Sequence, residues 1–292
     1  MLTVFLTLNV QNINRFYGVR WCEDEPVAER GLLIWNSVVK VMKYWEPLPK
    51  TKKPDCKSYV NLLNHVSDRL MPAKMQFFRD IAKTLNSFLK RFQTNRPMVP
   101  FLSGALVQVM KSLLRIFIKE DVIREASSAL KVSRIDVENE ENYLDLSKIK
   151  VSTALKEILR EVDVPDHKKM KFKSECRSII ISIILKLKER SPLNYTIVRA
   201  ASSLDPEQMA NSKEIANAYF GALAGKLART KLILSDEADD AMKEYEKFLG
   251  EECIQFKDKF EAFNQDEDRL DEFLGLFYEE KSSTKASGKF AS

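Results

Sequence analysis

Two histidines, four cysteines and a few closely spaced carboxylates are the residues of this chain that could bind a metal or move a proton. His65 and His167 stand about a hundred residues apart, and neither belongs to an H-E-x-x-H pattern that would put two imidazoles on one helical face. Cys22, Cys56, Cys176 and Cys253 are widely spaced and form no C-x-x-C pair, so neither a zinc ribbon nor a dense disulfide framework is legible, and a reducing compartment fits best. Glu237, Asp239 and Asp240, and the run Asp266, Glu267, Asp268, could hold a divalent cation only if a fold converged them; the expectation is a solvated acidic helix face. No glycine-rich phosphate loop and no nucleophile elbow occurs, and Gly221-x-x-x-Gly225 falls in a helical pattern, where it would permit close helix packing. These residues predict no enzyme: no catalytic residue, no metal ligand and no cofactor is assigned.

Charge is the more informative property. A net charge of +5 hides a block from Val38 to Arg134 with 19 Lys and Arg against 7 Asp and Glu, and a block from Asp236 to Glu280 with 5 against 17. Blocks of opposite sign attract a polyanion at one end and repel it at the other, or attract each other. The lysines of the linker PLPKTKKPDCK (Lys50, Lys52, Lys53 and Lys57) are expected to face water or a phosphate. Lys74, Arg79, Lys83, Lys90 and Arg91 line the polar face of the next helical pattern, with Arg96 in the turn beyond it.

The elements that must carry these side chains are mostly helices, since only 8 Gly occur and long stretches lack both Gly and Pro. Alternation of Leu2, Val4, Leu6, Leu8 and Val10 predicts one short N-terminal strand, without the basic region or cleavage site of a signal peptide. Asp24, Glu25 and Pro26 then open a helix in which Val27, Leu33 or Ile34, Val38, Val41 or Met42 and Trp45 recur inward, until Pro47 and Pro49 stop it. Pro72 starts a second with a stripe of Met75, Phe78, Ile81 or Ala82, Leu85, Phe88 or Leu89 and Phe92. Further helices are expected over Phe101 to Phe117, Val122 to Leu130, Ser152 to Glu161, Pro165 to Arg190, Asn211 to Thr230, Asp236 to Phe263 and Glu267 to Tyr278. The longest apolar run, Ile179 to Leu185, is far below the ~18 residues of a membrane span. The predicted organisation is an N-terminal strand and entry segment over 1–22, a basic helical subdomain over 23–134 and an irregular connection over 135–150. A second helical subdomain with acidic C-terminal helices covers 151–280, and a disordered tail covers 281–292.

Arg20-Trp21 followed by Ala28-Glu29-Arg30-Gly31-Leu32-Leu33-Ile34-Trp35-Asn36-Ser37-Val38 is similar to the R-W…E-R-x-L-x-x-W block of hAT-superfamily transposases. Met71-Pro72-Ala73-Lys74, the segment from Phe92 through Pro97-Met98 to Pro100-Phe101-Leu102, Ser191-Pro192-Leu193 and Leu204-Asp205-Pro206 add to the likeness, which covers most of residues 15 to 275. The resemblance implies the helical insertion of an RNase H-like transposase, with the three metal-binding acidic residues and the dimerisation block missing. It implies a truncated or domesticated fragment, nuclear within an intracellular setting, and it directs attention to Arg20 and Trp21. An exposed Trp21 could stack on an unpaired base; the structural reading is that Trp21 and Trp35 anchor the core.

The sequence therefore predicts a mainly α protein, an irregular multi-helix bundle with a short N-terminal β-strand, that crosses no membrane. The expected function is a non-catalytic, transposase-derived helical module binding DNA or other nucleic acid through a basic face. Its contacts would be Arg20, Trp21, Lys50, Lys52, Lys53, Lys57, Lys74, Lys83, Lys90, Arg91 and Arg96. The alternative is a protein-protein interaction scaffold that binds a partner, or itself, through the acidic residues 236–280.

Overall fold

The computed structural model describes residues 21–282, with backbone alone for 21–24, 50, 58 and 278–282. The strand expected over 1–10, and the tail beyond Ser282, lie outside the described residues. What is described is mainly helical.

Helix α1 spans Trp21–Trp45 and so begins before the Asp24-Glu25-Pro26 signal; Pro26 is tolerated near the start, where its missing N–H removes only one early backbone bond. A short 3-10 turn over Lys50–Lys52 leads into α2, Lys57–Val66, a helix absent from the sequence-based expectation. Asp68 sets the start of α3, Met71–Phe92: its carboxylate accepts from the Leu70 amide (2.9 Å) and from Lys74 Nζ (2.8 Å). Met75, Phe78, Ile81, Ala82 and Leu85 of the expected stripe are buried.

Helix α4, Val99–Leu114, is followed by α5, Glu120–Glu125, and α6, Ala129–Ser133. The single helix expected over Val122 to Leu130 is thus two, because Ser128 Oγ accepts from the Lys131 amide (3.3 Å) and caps a new start. The expected irregular connection holds two 3-10 turns and one antiparallel bridge, Ile118 to Tyr143, the only β pairing among the described residues. Helix α7, Thr153–Glu161, is capped by Ser152, whose hydroxyl also donates to Asp80 Oδ2 (2.6 Å) and ties α7 to α3. The isoleucine-rich SIIISIILKL segment is helical within α8, Asp166–Arg190, as expected.

Helices α9 (Thr196–Ala200) and α10 (Pro206–Asn211) precede α11, Lys213–Arg229. The long helix expected over Asp236 to Phe263 is divided into α12 (Ser235–Gly250), α13 (Glu252–Gln255) and α14 (Lys257–Ala262). Helix α15 covers Leu270–Ser282.

The chain forms two compact units, one from Met1–Lys90, Lys111–Glu125 and Asp136–Leu187, the other from Arg91–Met110, Ala126–Ile135 and Lys188–Ser292. Each draws on residues from both sides of the 135–150 connection. In the first unit α1 packs on α3: Ala28 meets Phe78 and Ala82, while Trp35 meets Met71 and Met75 with Leu32, Val38, Val39 and Leu62 around them. Trp35 is the core anchor expected of it. The inward line of α1 is nevertheless Ala28, Trp35 and Met42; Leu33, Ile34 and Val41 are exposed, a correction to the expected stripe.

The core of the second unit is aromatic. Tyr245 of α12 is fully buried, stacks on Phe220 of α11 (centroids 4.0 Å apart) and donates its hydroxyl proton to the Ser203 carbonyl. Phe248, Phe260, Phe273 and Phe277 of the same core pack edge-on and tilted against one another. A Cβ on Gly221 would meet Met242 Cε at 3.3 Å, so this glycine does let α11 and α12 approach; one on Gly225 would meet nothing within 4 Å.

Candidate nucleic-acid interface

An ammonium or guanidinium group holds a phosphate only if its charge is free to do so, so the question at each candidate residue is what already neutralises it. Arg20 lies outside the described residues. Trp21 opens α1 and Lys50 opens the 3-10 turn, with neither side chain described. Lys52 and Lys57 are exposed at the approach to α2, whereas Lys53 donates to the Glu46 carbonyl (2.7 Å).

On α3 the basic residues divide. Lys74 pairs with Asp68 (2.8 Å), and Arg79 pairs with Glu29 of α1 (2.5 Å). Lys83 and Lys90 are exposed, and no described side chain pairs with them. At 100° per residue, Arg79, Lys83 and Lys90 fall within about 40° of one another, whereas Lys74 points away from all three by about 140° or more and Arg91 by about 80–120°. The true basic stripe of α3 is therefore narrower than the sequence suggests. Burial, with the Lys74 charge adding to it, lowers the pKa of nearby His65, so this imidazole is a poor further cation.

Arg91 and Arg96 belong to the second unit and meet the acidic block there. Arg91 grips Asp266 with two parallel bonds, Nε to Oδ1 and Nη2 to Oδ2, both 2.8 Å, and Arg96 donates to the Asp266 carbonyl (2.7 Å). Sequence reasoning named the basic partners but not the groups that occupy them; Glu29, Asp68 and Asp266 lie 50, 6 and 175 residues from Arg79, Lys74 and Arg91. Only the Asp68 spacing is short enough to be read locally. Lys40 and Lys43 of α1, within the basic block, are exposed and were not singled out.

Among the described residues no group of three His, Cys, Asp or Glu side chains is placed to hold a metal ion, and no helix is long and apolar enough to cross a membrane. The Cys176 and Cys253 thiols are buried, and burial pushes Cys253 up to about 12 and Cys176 higher, which removes both as nucleophiles at neutral pH. No family model matches the chain, and no curated protein or solved structure matches it.

Proposed function

We propose that this chain is a helical, non-catalytic module, transposase-derived as the resemblance implies, that holds nucleic acid by its phosphate backbone through Lys52, Lys57, Lys83 and Lys90. The observation that carries the reading is that these four lysines of one unit remain exposed and unpaired among the described residues, while the other described candidates are tied up. Lys83 and Lys90 share a face of α3 about 10 Å apart along the axis, about three phosphate steps of one strand. The described carboxylates with close geometry, Glu29, Asp68, Asp80 and Asp266, serve ion pairs and helix starts, which is why no strand-cleaving role is proposed. A nuclear location belongs to the same proposal.

Four phosphate contacts give a plot of log affinity against log salt with a slope of about −3 to −4, where the full set of sequence candidates would give about −9. Fluorescence anisotropy with a labelled DNA duplex and a labelled single strand, from about 50 to about 200 mM salt, measures it. Reversing the four lysines to glutamate should abolish binding; unchanged affinity sinks the reading. A second reading, a protein-interaction scaffold, is favoured by the exposed acids Asp236, Glu237 and Asp239 at the start of α12. Sedimentation equilibrium of the intact chain, alone and with a polylysine probe, tests it.

A further inference from the structure

The α1–α2 pair presents an apolar surface that the fold leaves uncovered. Leu33 is 80 % exposed, Tyr44 68 % and Val60 53 %, with Ile34, Val41 and Leu63 beside them also exposed. These positions are not scattered. Ile34, Val38, Val41 and Trp45 follow one another at three- and four-residue steps, so they form a single stripe of α1. Val38 packs in the cluster that includes Leu62 of α2, and the Trp45 ring meets the Tyr59 ring edge-on at 5.7 Å. Ile34 and Val41 consequently border α2, where Leu63 stands one turn beyond Tyr59, and the apolar surface runs across both helices. Leu33 and Tyr44, with Ser37 and the exposed Lys40 between them, form the adjoining outward line of α1.

An apolar patch of this kind on a folded chain marks a place where something docks. Its charge says what. From Arg30 to Trp45 and from Lys57 to Val66 the two helices carry Arg30, Lys40, Lys43 and Lys57 and not one carboxylate. Arg30, Lys40, Lys43 and Lys57 are all exposed. A second copy of the same face would bring like charges together, and a nucleic acid, which could stack a base on Tyr44, has no use for the row Leu33, Ile34, Val41, Val60 and Leu63. We infer that the α1–α2 surface docks an amphipathic helix of another protein, whose apolar row lies against Leu33, Ile34, Val41, Tyr44, Val60 and Leu63 and whose flanking acidic side chains meet Arg30, Lys40 and Lys43. This is the helix-in-groove mode of recognition, in which apolar anchors give affinity and flanking charge gives orientation.

The test uses the full chain and three labelled synthetic helical peptides of about 18 residues, some five helical turns each. One carries leucines at three- and four-residue spacing flanked by glutamates, the second has lysines in place of the glutamates, and the third is a scramble of the first. Anisotropy should show the acidic peptide binding roughly tenfold or more tighter than either control. The double variant Leu33→Ser with Tyr44→Ser should weaken it by a similar factor without changing the circular dichroism spectrum, since both side chains are exposed. Lys40→Glu with Lys43→Glu should weaken the acidic peptide and strengthen the basic one. Equal binding of the acidic and basic peptides overturns the inference, as does no binding of the acidic peptide at about 1 mM. So does a dimer in sedimentation equilibrium that the double serine variant disperses, or co-sedimentation with anionic lipid vesicles in preference to the peptide. Because Leu33→Ser with Tyr44→Ser changes no charge and leaves Lys52, Lys57, Lys83 and Lys90 in place, its DNA affinity should stay that of the native chain while the peptide is lost.

Discussion

Asp205 sits half-buried at the start of α10, where its carboxylate accepts from the Glu207 amide (3.0 Å), and burial pushes its pKa up to about 6 despite that bond. Between about pH 4 and 6 the folded chain therefore holds a proton that the unfolded chain has released, so stability falls as pH rises through this window. Raising a carboxyl this far above its ordinary value corresponds to about 2–3 kcal/mol. Urea unfolding at about pH 4.5 and about pH 7 should show this loss in the native chain, and Asp205→Asn, which keeps a capping oxygen, should flatten it; an unchanged pH dependence would place the effect elsewhere. Lys231 offers a second residue-level check. It adopts φ 59° at the end of α11, where its amide donates to the Ala228 carbonyl (2.9 Å) and the Leu232 amide to the Leu227 carbonyl (3.0 Å). This bond pair closes the helix with a left-handed residue, a position glycine fills without steric cost. Lys231→Gly should raise stability by about 0.5–1 kcal/mol in the same assay. The Asp205-Pro206-Glu207 triplet is a helix start made by local chemistry, although the helix expected there began only at Asn211; the left-handed lysine was not legible, since nothing in its residue type announces it.

At the scale of elements, the starts of α3, α7, α8 and α12 fall where Pro72, Ser152, Pro165 and Ser235 mark them, whereas α6 and α10 were merged or passed over despite the Ser128 and Asp205 caps. Helix α8 opens one residue after Pro165 and ends before Pro192, as its sequence suggests. Helix α2 has Cys56 at its cap with no side-chain bond, and its first turn is basic rather than acidic, so nothing local marks it. The division of α12 from α13 and α14 is a packing decision: it lets Phe248 and Phe260 reach the same aromatic cluster as Phe277 of α15. Phe260 is 1 % exposed and touches rings on α12 and α15, so Phe260→Ala should cost about 3–5 kcal/mol, read as a lower urea midpoint with loss of the near-ultraviolet circular dichroism signal. A cost under about 1 kcal/mol would mean that the cluster does not hold these helices together. Helix α1 shows the limit of periodicity. Its apolar residues span most of its circumference, and the pattern alone cannot say which line faces α3.

Across the whole molecule, the two charge blocks that the sequence sets far apart meet in the second unit, at Arg91 and Asp266. Both side chains are partly exposed, so the pair itself contributes less than about 1 kcal/mol. Its consequence is for binding: Asp266→Asn would free the Arg91 guanidinium and should steepen the salt dependence of DNA affinity by about one. An unchanged slope would show that Arg91 takes no part. Thiol labelling gives an independent measure of the intact fold. In a Cys22→Ser background, Cys56 should react at once, and Cys176 and Cys253 only at the rate of unfolding. Residue types and their spacing were enough to settle a mainly helical chain with one basic and one acidic stretch, because helix periodicity and net charge are summed over neighbours in sequence. Which basic side chains stay free depended on partners 6 to 175 residues away, and which apolar face of α1 stays bare depended on its packing against α3. Those partners are set by packing, and only the tertiary structure could name them.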